Sequence, residues 1–278
     1  MATGIEWTDE TWNPVRGCAL VSPGCTHCYA MEWAHGLRGY EGLTRMTEHG
    51  PVWTGAVRLV PEALDKPRRW KKPRMVFVNS MSDLFYERIP FEFIERVFTA
   101  MVEEKRHTFQ VLTKRAARLR ELAPRLPWSA NVWMGVSVEA EDYTVRIDDL
   151  RATPARIKFL SLEPLLGPLP NLDLSGIQWA IIGGESGSGA RPLAEDWARD
   201  LVAQCHTAGV AIFVKQLGSV WARAHGSRDR KGKVMDDWPP DLRIREYPPT
   251  VRRGQLDLFG AEARDASEAD HEEPKALT

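Results

Sequence analysis

Three cysteines fall within eleven residues of one another. Cys18, Cys25 and Cys28 form a C-x6-C-x2-C arrangement inside Thr11–Ala30, TWNPVRGCALVSPGCTHCYA. A packed core asks for small apolar residues and has no use for clustered sulfur, so this spacing reads as a set of metal ligands. Three protein thiolates leave one coordination position open, as a reactive metal centre needs and a purely structural one avoids. The Ser22-Pro23-Gly24 turn delivers the second cysteine, and the residues from about Tyr29 to 38 read as a helix leading away from the third.

A second set of chemistry-bearing residues recurs at the ends of short apolar runs. These are Asn79-Ser80-Met81-Ser82-Asp83, Thr113-Lys114, Ser137-Val138-Glu139, Ser161-Leu162-Glu163, Gly183-Gly184-Glu185-Ser186 and Lys215-Gln216. Asp83, Lys114, Glu139, Glu163, Glu185 and Lys215 are the candidate acids and bases. Gly183-Gly184 suits a phosphate-binding turn or close backbone packing, since no full glycine fingerprint follows.

The elements that must position these groups alternate. Strand-like runs at 75–79, 109–113, 132–138, 157–161, 179–182 and 210–214 are separated by helical patterns near 91–105, 115–122, 140–152 and 194–208. In the first helix Phe91, Ile94, Phe98, Met101 and Val102 recur at helical spacing. Pro61 to Trp70 can start a helix, and 39–60 reads as a Gly- and Thr-rich connection. Alternating strands and helices imply βαβ units and a mainly parallel sheet. With a strand in or just before Thr11–Val15, about seven strands make an α/β fold, a full or partial (β/α) TIM-type barrel. In such folds the C-terminal ends of the strands form the functional face, and every polar cluster named above falls there together with the cysteine loop.

Composition sets the outer limits. With 43% hydrophobic and 27% charged residues the chain has ordinary soluble composition, and no apolar run approaches a membrane span. The start, MATGIEWTDE, is acidic and poor in apolar residues, so no secretory signal is expected. Four cysteines, three of them clustered, fit a reducing, cytoplasmic setting better than a disulfide framework. Residues 1–218 read as the barrel, 219–254 as a basic, loop-rich C-terminal extension, and 255–278 as a disordered acidic tail. Basic bunches at Lys66–Arg74 and Arg223–Lys233, interleaved with Trp70 and Trp221, suit nucleic acid or solvated loops equally. Cys205, His206 and the tryptophans Trp7, Trp12, Trp33 and Trp53 have packing as their plainer reading.

Taken together, Ile5-Glu6-Trp7-Thr8, Thr11-Trp12-Asn13-Pro14, Gly17-Cys18, Ser22-Pro23-Gly24-Cys25 and Cys28-Tyr29-Ala30 resemble an uncharacterised phage- and bacterium-associated three-cysteine family. Asn79–Phe85, Leu112-Thr113-Lys114 and Gly183-Gly184-Glu185-Ser186 extend the resemblance over residues 3 to about 240. That family is in turn similar to the radical S-adenosylmethionine (SAM) enzymes. There a three-cysteine loop after the first strand of a partial barrel holds a [4Fe–4S] cluster whose fourth iron is chelated by SAM. The resemblance implies a cluster on Cys18, Cys25 and Cys28, SAM contacts from Asn79, Ser80, Ser137, Glu139, Gly183 and Gly184, and an external electron donor. It also implies modification or repair of nucleic acid or a nucleotide through a 5′-deoxyadenosyl radical. The spacing departs from the common C-x3-C-x2-C of those enzymes, and Tyr29 follows the last cysteine instead of an aromatic preceding it. The alternative is a zinc site completed by His27, His35 or a carboxylate, in a nucleic-acid-binding or hydrolytic protein.

Gln255-Leu256-Asp257-Leu258-Phe259 resembles the short peptide with which bacterial replication and repair proteins engage the sliding clamp. It implies a clamp partner, and leaves open a non-catalytic phage accessory protein recruited there.

Overall fold

The computed structural model describes residues 3–249; the clamp-like peptide and the acidic tail lie outside the described residues. Seven strands form the main sheet: β1 (Glu10–Trp12), β2 (Met75–Val78), β3 (Thr108–Thr113), β4 (Val132–Ser137), β5 (Lys158–Leu162), β6 (Trp179–Gly183) and β7 (Ala211–Gln216). Every pairing is parallel, and spatial order follows chain order. Each strand is therefore laid beside its predecessor, as in a (β/α) barrel and unlike a doubly wound sheet. The sheet curls but keeps two ends, β1 and β7, so of the full and partial barrels expected it is the partial one, a half-barrel.

Six helices accompany it: α1 (Tyr29–Ala34), α2 (Phe91–Glu103), α3 (Ala116–Leu122), α4 (Val145–Arg151), α5 (Glu195–Ala208) and α6 (Gly218–Ala224). In α2 the buried Phe93, Ile94, Val97, Phe98 and Met101 form one stripe, the periodicity that made this helix legible. Residues 61–70 form two 3-10 turns, Pro61–Ala63 and Pro67–Arg69, because prolines at both starts interrupt continuous helix. The 39–60 connection contains a hairpin, Thr44–Thr47 with Gly50–Trp53, and Arg58–Leu59 pairs with Val15–Arg16. Among the described residues no helix is long and apolar enough to cross a membrane.

Successive strand residues point to opposite faces. Val76, Val111, Met134, Leu160, Ile182 and Val214 face the helices, in one core with Ile94, Leu119, Ile147 and Leu201. Phe77, Trp133, Phe159, Trp179 and Phe213 fill the concave face. Trp7 seals its lower end, 4.7 Å from Phe77 and 6.1 Å from Trp179 between ring centroids. Tyr247 stacks on Trp179 from the other side at 5.4 Å. Continuing two residues at a time toward the strand ends, this aromatic face becomes polar: Phe77 leads to Asn79, Trp133 through Gly135 to Ser137, Phe159 to Ser161 and Glu163, and Phe213 to Lys215. The fold thus closes one end of the half-barrel with rings and opens the other on groups that can do chemistry.

Residues 219–249 are loop-rich, yet they belong to the same body. Val214 N–H donates to Ile244 O and Glu246 N–H to Ile212 O, so this segment runs antiparallel along the free edge of β7. An open edge is a template for unwanted pairing, and the segment covers it. Trp221, Trp238 and Leu242 are buried in the process.

Candidate functional site

A cavity of about 210 Å³ lies at the C-terminal ends of the strands. All three clustered cysteines line it, and all three are free thiols. Gly17 sets their approach: it bridges to Ser82 at φ +87°, and a Cβ there would meet Ala56 O at 2.3 Å, so only glycine admits the turn into Cys18. The chain then passes through the 3-10 turn Pro23–Cys25 and enters α1 directly at Cys28.

Electrostatics tie the thiols together. Burial, then the neighbouring Asp83 carboxylate, pushes the Cys18 thiol up to about 12, with Cys28 and Cys25 adding to the rise against Arg115. Burial raises Cys28 as well, with Cys25 adding to it, while backbone N–H groups of Ala30 and Met31 and the Lys114 ammonium pull the other way. Three thiolates brought together at a buried site repel one another unless a cation compensates, which makes this donor set chemically suited to a soft metal or cluster. Among the described residues no His, Cys, Asp or Glu trio is arranged to hold a single metal ion.

Of the candidate acids and bases, Asp83, Lys114, Glu163, Glu185 and Lys215 line the cavity. Glu163 Oε1 accepts from Lys215 Nζ at 2.6 Å, and both side chains are mostly buried. Lys114 forms no ion pair with a carboxylate among the described residues. Asp83 accepts from Thr113 Oγ1 at 2.8 Å, Phe85 N at 3.0 Å, Lys114 N at 3.1 Å and Arg115 Nη1 at 3.1 Å. Glu185 accepts from Arg191 through Nε, Nη2 and the backbone N–H, and shares a hydrogen bond with His27 Nδ1 at 3.1 Å. Glu139 lies outside the lining: fully buried beneath the cysteine turn, it accepts from Arg146 Nη1 at 2.8 Å and from Ser22 Oγ.

The cofactor-side candidates divide similarly. Asn79, Ser80, Ser137 and Gly184 line the cavity, and Gly183 does not. Asn79 leaves β2 at φ +60°, in the left-handed region that asparagine tolerates. Its Oδ1 accepts from Val15 N–H, whereas its buried Nδ2 has no acceptor. An orphaned donor beside the cavity fits an oxygen-bearing cofactor or ligand group. Close packing accounts for the glycine pair: a Cβ on Gly184 would meet Leu217 O at 2.5 Å, and one on Gly183 would crowd Glu163 Cδ at 3.0 Å.

Arg115, Arg146 and Arg191 escaped the sequence reading. One of them carries a signal: Arg146 sits on the buried stripe of α4 beside Ile147 and Leu150, where an unpaired guanidinium would be costly. Of the other residues set aside, Cys205 is buried in α5, and Trp7, Trp12 and Trp53 are core. Trp33 is 68% exposed, one helical turn beyond the cavity-lining Tyr29.

No curated protein matches the chain, and no solved structure matches it. A family model described as protein of unknown function (DUF5131) matches residues 2–242.

Proposed function

The chain belongs to that DUF5131 family, whose description assigns no activity, and from the cavity itself we propose an iron–sulfur enzyme of the radical SAM type acting on nucleic acid or a nucleotide. One observation carries the reading: three free thiols on the loop after the first strand meet a cavity that also holds Asn79, Lys114, Ser137, Glu163 and Lys215, at the C-terminal mouth of a parallel half-barrel. Cys18, Cys25 and Cys28 would hold a [4Fe–4S] cluster by three corners. Such a cluster, with SAM and a one-electron external donor, would supply reductive cleavage of SAM and hydrogen-atom abstraction from a substrate.

The chain's own residues bind and orient. Lys114, with no carboxylate partner among the described residues, offers an ammonium to an anionic group, and the Asn79 amide offers a donor on the neighbouring strand. The Ser137 and Ser161 hydroxyls stand side by side on β4 and β5, where they can fix a sugar or base edge. The Lys215–Glu163 pair can hold or pass a proton at Nζ or Oε1. The aromatic plug behind them keeps water from entering through the barrel floor. The nucleic-acid half of the reading draws support from Tyr29 at the rim and the exposed Trp33, with the exposed Arg38 and Arg45, unpaired among the described residues, on the following segment. Thr44, next to Arg45, touches His35 at the end of α1, which brings that segment beside the helix.

A zinc protein is the competing reading. Of its candidate fourth ligands, His27 bonds Glu185 and His35 bonds Thr44 through Nδ1, which leaves Nε2 of each as the nitrogen that could reach a metal. The deciding experiment is anaerobic purification with iron, sulfide and zinc analysis, and absorption spectra before and after dithionite and SAM. About four irons per chain, a band that bleaches, and 5′-deoxyadenosine are expected. A colourless protein with one zinc sinks the radical reading and establishes the competing one.

A further inference from the structure

Three of the acids that sequence alone offers for catalysis share a different arrangement in space. Asp83 follows β2, Glu139 follows β4 and Glu185 follows β6, so they come from alternate strands of the half-barrel. Each is buried and each is paired with one arginine: Asp83 with Arg115 at 3.1 Å, Glu139 with Arg146 at 2.8 Å, Glu185 with Arg191 at 2.5 Å. Each pair also reaches the cysteine loop. Arg115 Nη2 donates to Ala19 O at 3.2 Å, next to Cys18. Glu139 accepts from Ser22 Oγ and packs under Gly24, next to Cys25. Arg191 Nη2 donates to Pro23 O at 2.9 Å, and Glu185 engages His27, next to Cys28.

We infer that these three carboxylate–arginine pairs are a clamp that fixes the cysteine loop, one pair per cysteine, and that Asp83, Glu139 and Glu185 are positioning residues. The physical logic is direct. The loop carries six residues between its first two cysteines and makes no strand pairing after Gly17, so its own backbone cannot hold three thiols at fixed separations. Charge-assisted hydrogen bonds from rigid strand ends supply the restraint, and the guanidinium fork lets one side chain bind its carboxylate and a loop carbonyl together. Asp83 accepts four hydrogen bonds and Glu139 two, all from within the protein, which leaves Lys114 and the Lys215–Glu163 pair as the charged groups of the lining that can meet a ligand.

The inference uses the proposed function only in taking the loop as the metal-holding one; its test does not need metal. Each thiol in the reduced, metal-free full chain is alkylated under native conditions and followed by mass spectrometry, with buried Cys205 as the reporter of the global fold. Arg115→Gln, which removes the contact to Ala19 while leaving the Asp83 charge in place, is expected to speed Cys18, Glu139→Gln to speed Cys25 and Glu185→Gln to speed Cys28, each by roughly tenfold, with Cys205 unchanged. Ser22→Ala, on the part-exposed turn, removes only the loop's own bond to Glu139, disturbs the core less than the buried substitutions, and must reproduce the Cys25 effect. Iron retained after reconstitution should fall in the same variants. Equal acceleration of all four thiols would overturn the clamp in favour of general destabilisation. Unchanged thiol rates and iron content with lost turnover would overturn it in favour of a direct chemical role. A failure of the cluster reading shows separately, as absence of iron in the unsubstituted protein.

Discussion

Glu185 shows how a single residue's surroundings decide its chemistry. Burial raises its carboxyl, but the Arg191 guanidinium and backbone N–H, with His27, outweigh that and leave it below its ordinary value of 4.5. A carboxylate depressed in the folded state stabilises fully above its unfolded value and loses that contribution as pH falls through the lower folded value. Glu185→Gln is therefore expected to cost about 1–3 kcal/mol at pH 7, as loss of a charge-assisted hydrogen bond does. The gap between variant and parent should shrink below about pH 4, measured as urea midpoints across pH 3–7. A constant gap would mean that charge is not what Arg191 recognises. The cysteines separate in the same way: Cys18→Ala, Cys25→Ala or Cys28→Ala should each abolish bound iron, read by metal analysis. Cys205→Ala, in the interior of α5, should leave it intact at a modest stability cost of about 1 kcal/mol. Sequence alone marked Asp83, Glu139 and Glu185 as acids because it displays residue types at strand ends. Their arginine partners lie six to thirty-two residues away, and only the curl of the sheet brings the pairs over the loop.

The strands were the legible elements. Runs such as Met75–Val78 and Trp179–Ile182 are apolar on both faces, as strands covered on both sides must be, and helix periodicity separated them cleanly. The hairpin at Thr44–Thr47 was not legible, because Arg45 and Met46 are both exposed and no alternation marks a buried face. The cover on β7 was hidden for another reason: it depends on pairing between Phe213 and Arg245, across a segment with no strand signal of its own. β4 carries the sharpest test at this scale. Gly135 lies on its concave face between Trp133 and Ser137, and a Cβ there would stand 2.4 Å from the Phe159 ring. Gly135→Ala should destabilise by about 1–3 kcal/mol through overpacking, measured by chemical denaturation. Pairing it with Phe159→Leu should recover part of that loss, since the smaller side chain frees the space. Absence of any recovery would place the strain in the backbone instead.

Among the described residues, the half-barrel opens at the C-terminal ends of its strands. Trp7, Trp179 and Tyr247 plug the half-barrel at the N-terminal ends of its strands, so any substrate must reach the cysteines past the opposite rim. On that rim α1 starts at Cys28 and presents Tyr29, whose hydroxyl donates to Ser80 O, and then Trp33 one turn farther out. Two aromatic rings on one helix face, about 6 Å apart along its axis, form a stepped surface leading to the cavity. Exposed aromatic side chains suit bases that have left a duplex, with stacking worth roughly 1–3 kcal/mol per base. Trp33→Ala should weaken binding of a fluorescent single-stranded oligonucleotide by roughly 5- to 150-fold in an anisotropy titration, and Trp33→Phe should retain most of it. Affinity should also fall with rising salt, and Arg38→Gln with Arg45→Gln should flatten that dependence. If Trp33→Ala binds as well as the parent, the rim is not the path of a strand. If the parent binds no oligonucleotide even at low salt, the substrate is a free nucleotide or another small molecule, and Lys114 becomes the residue through which to find it.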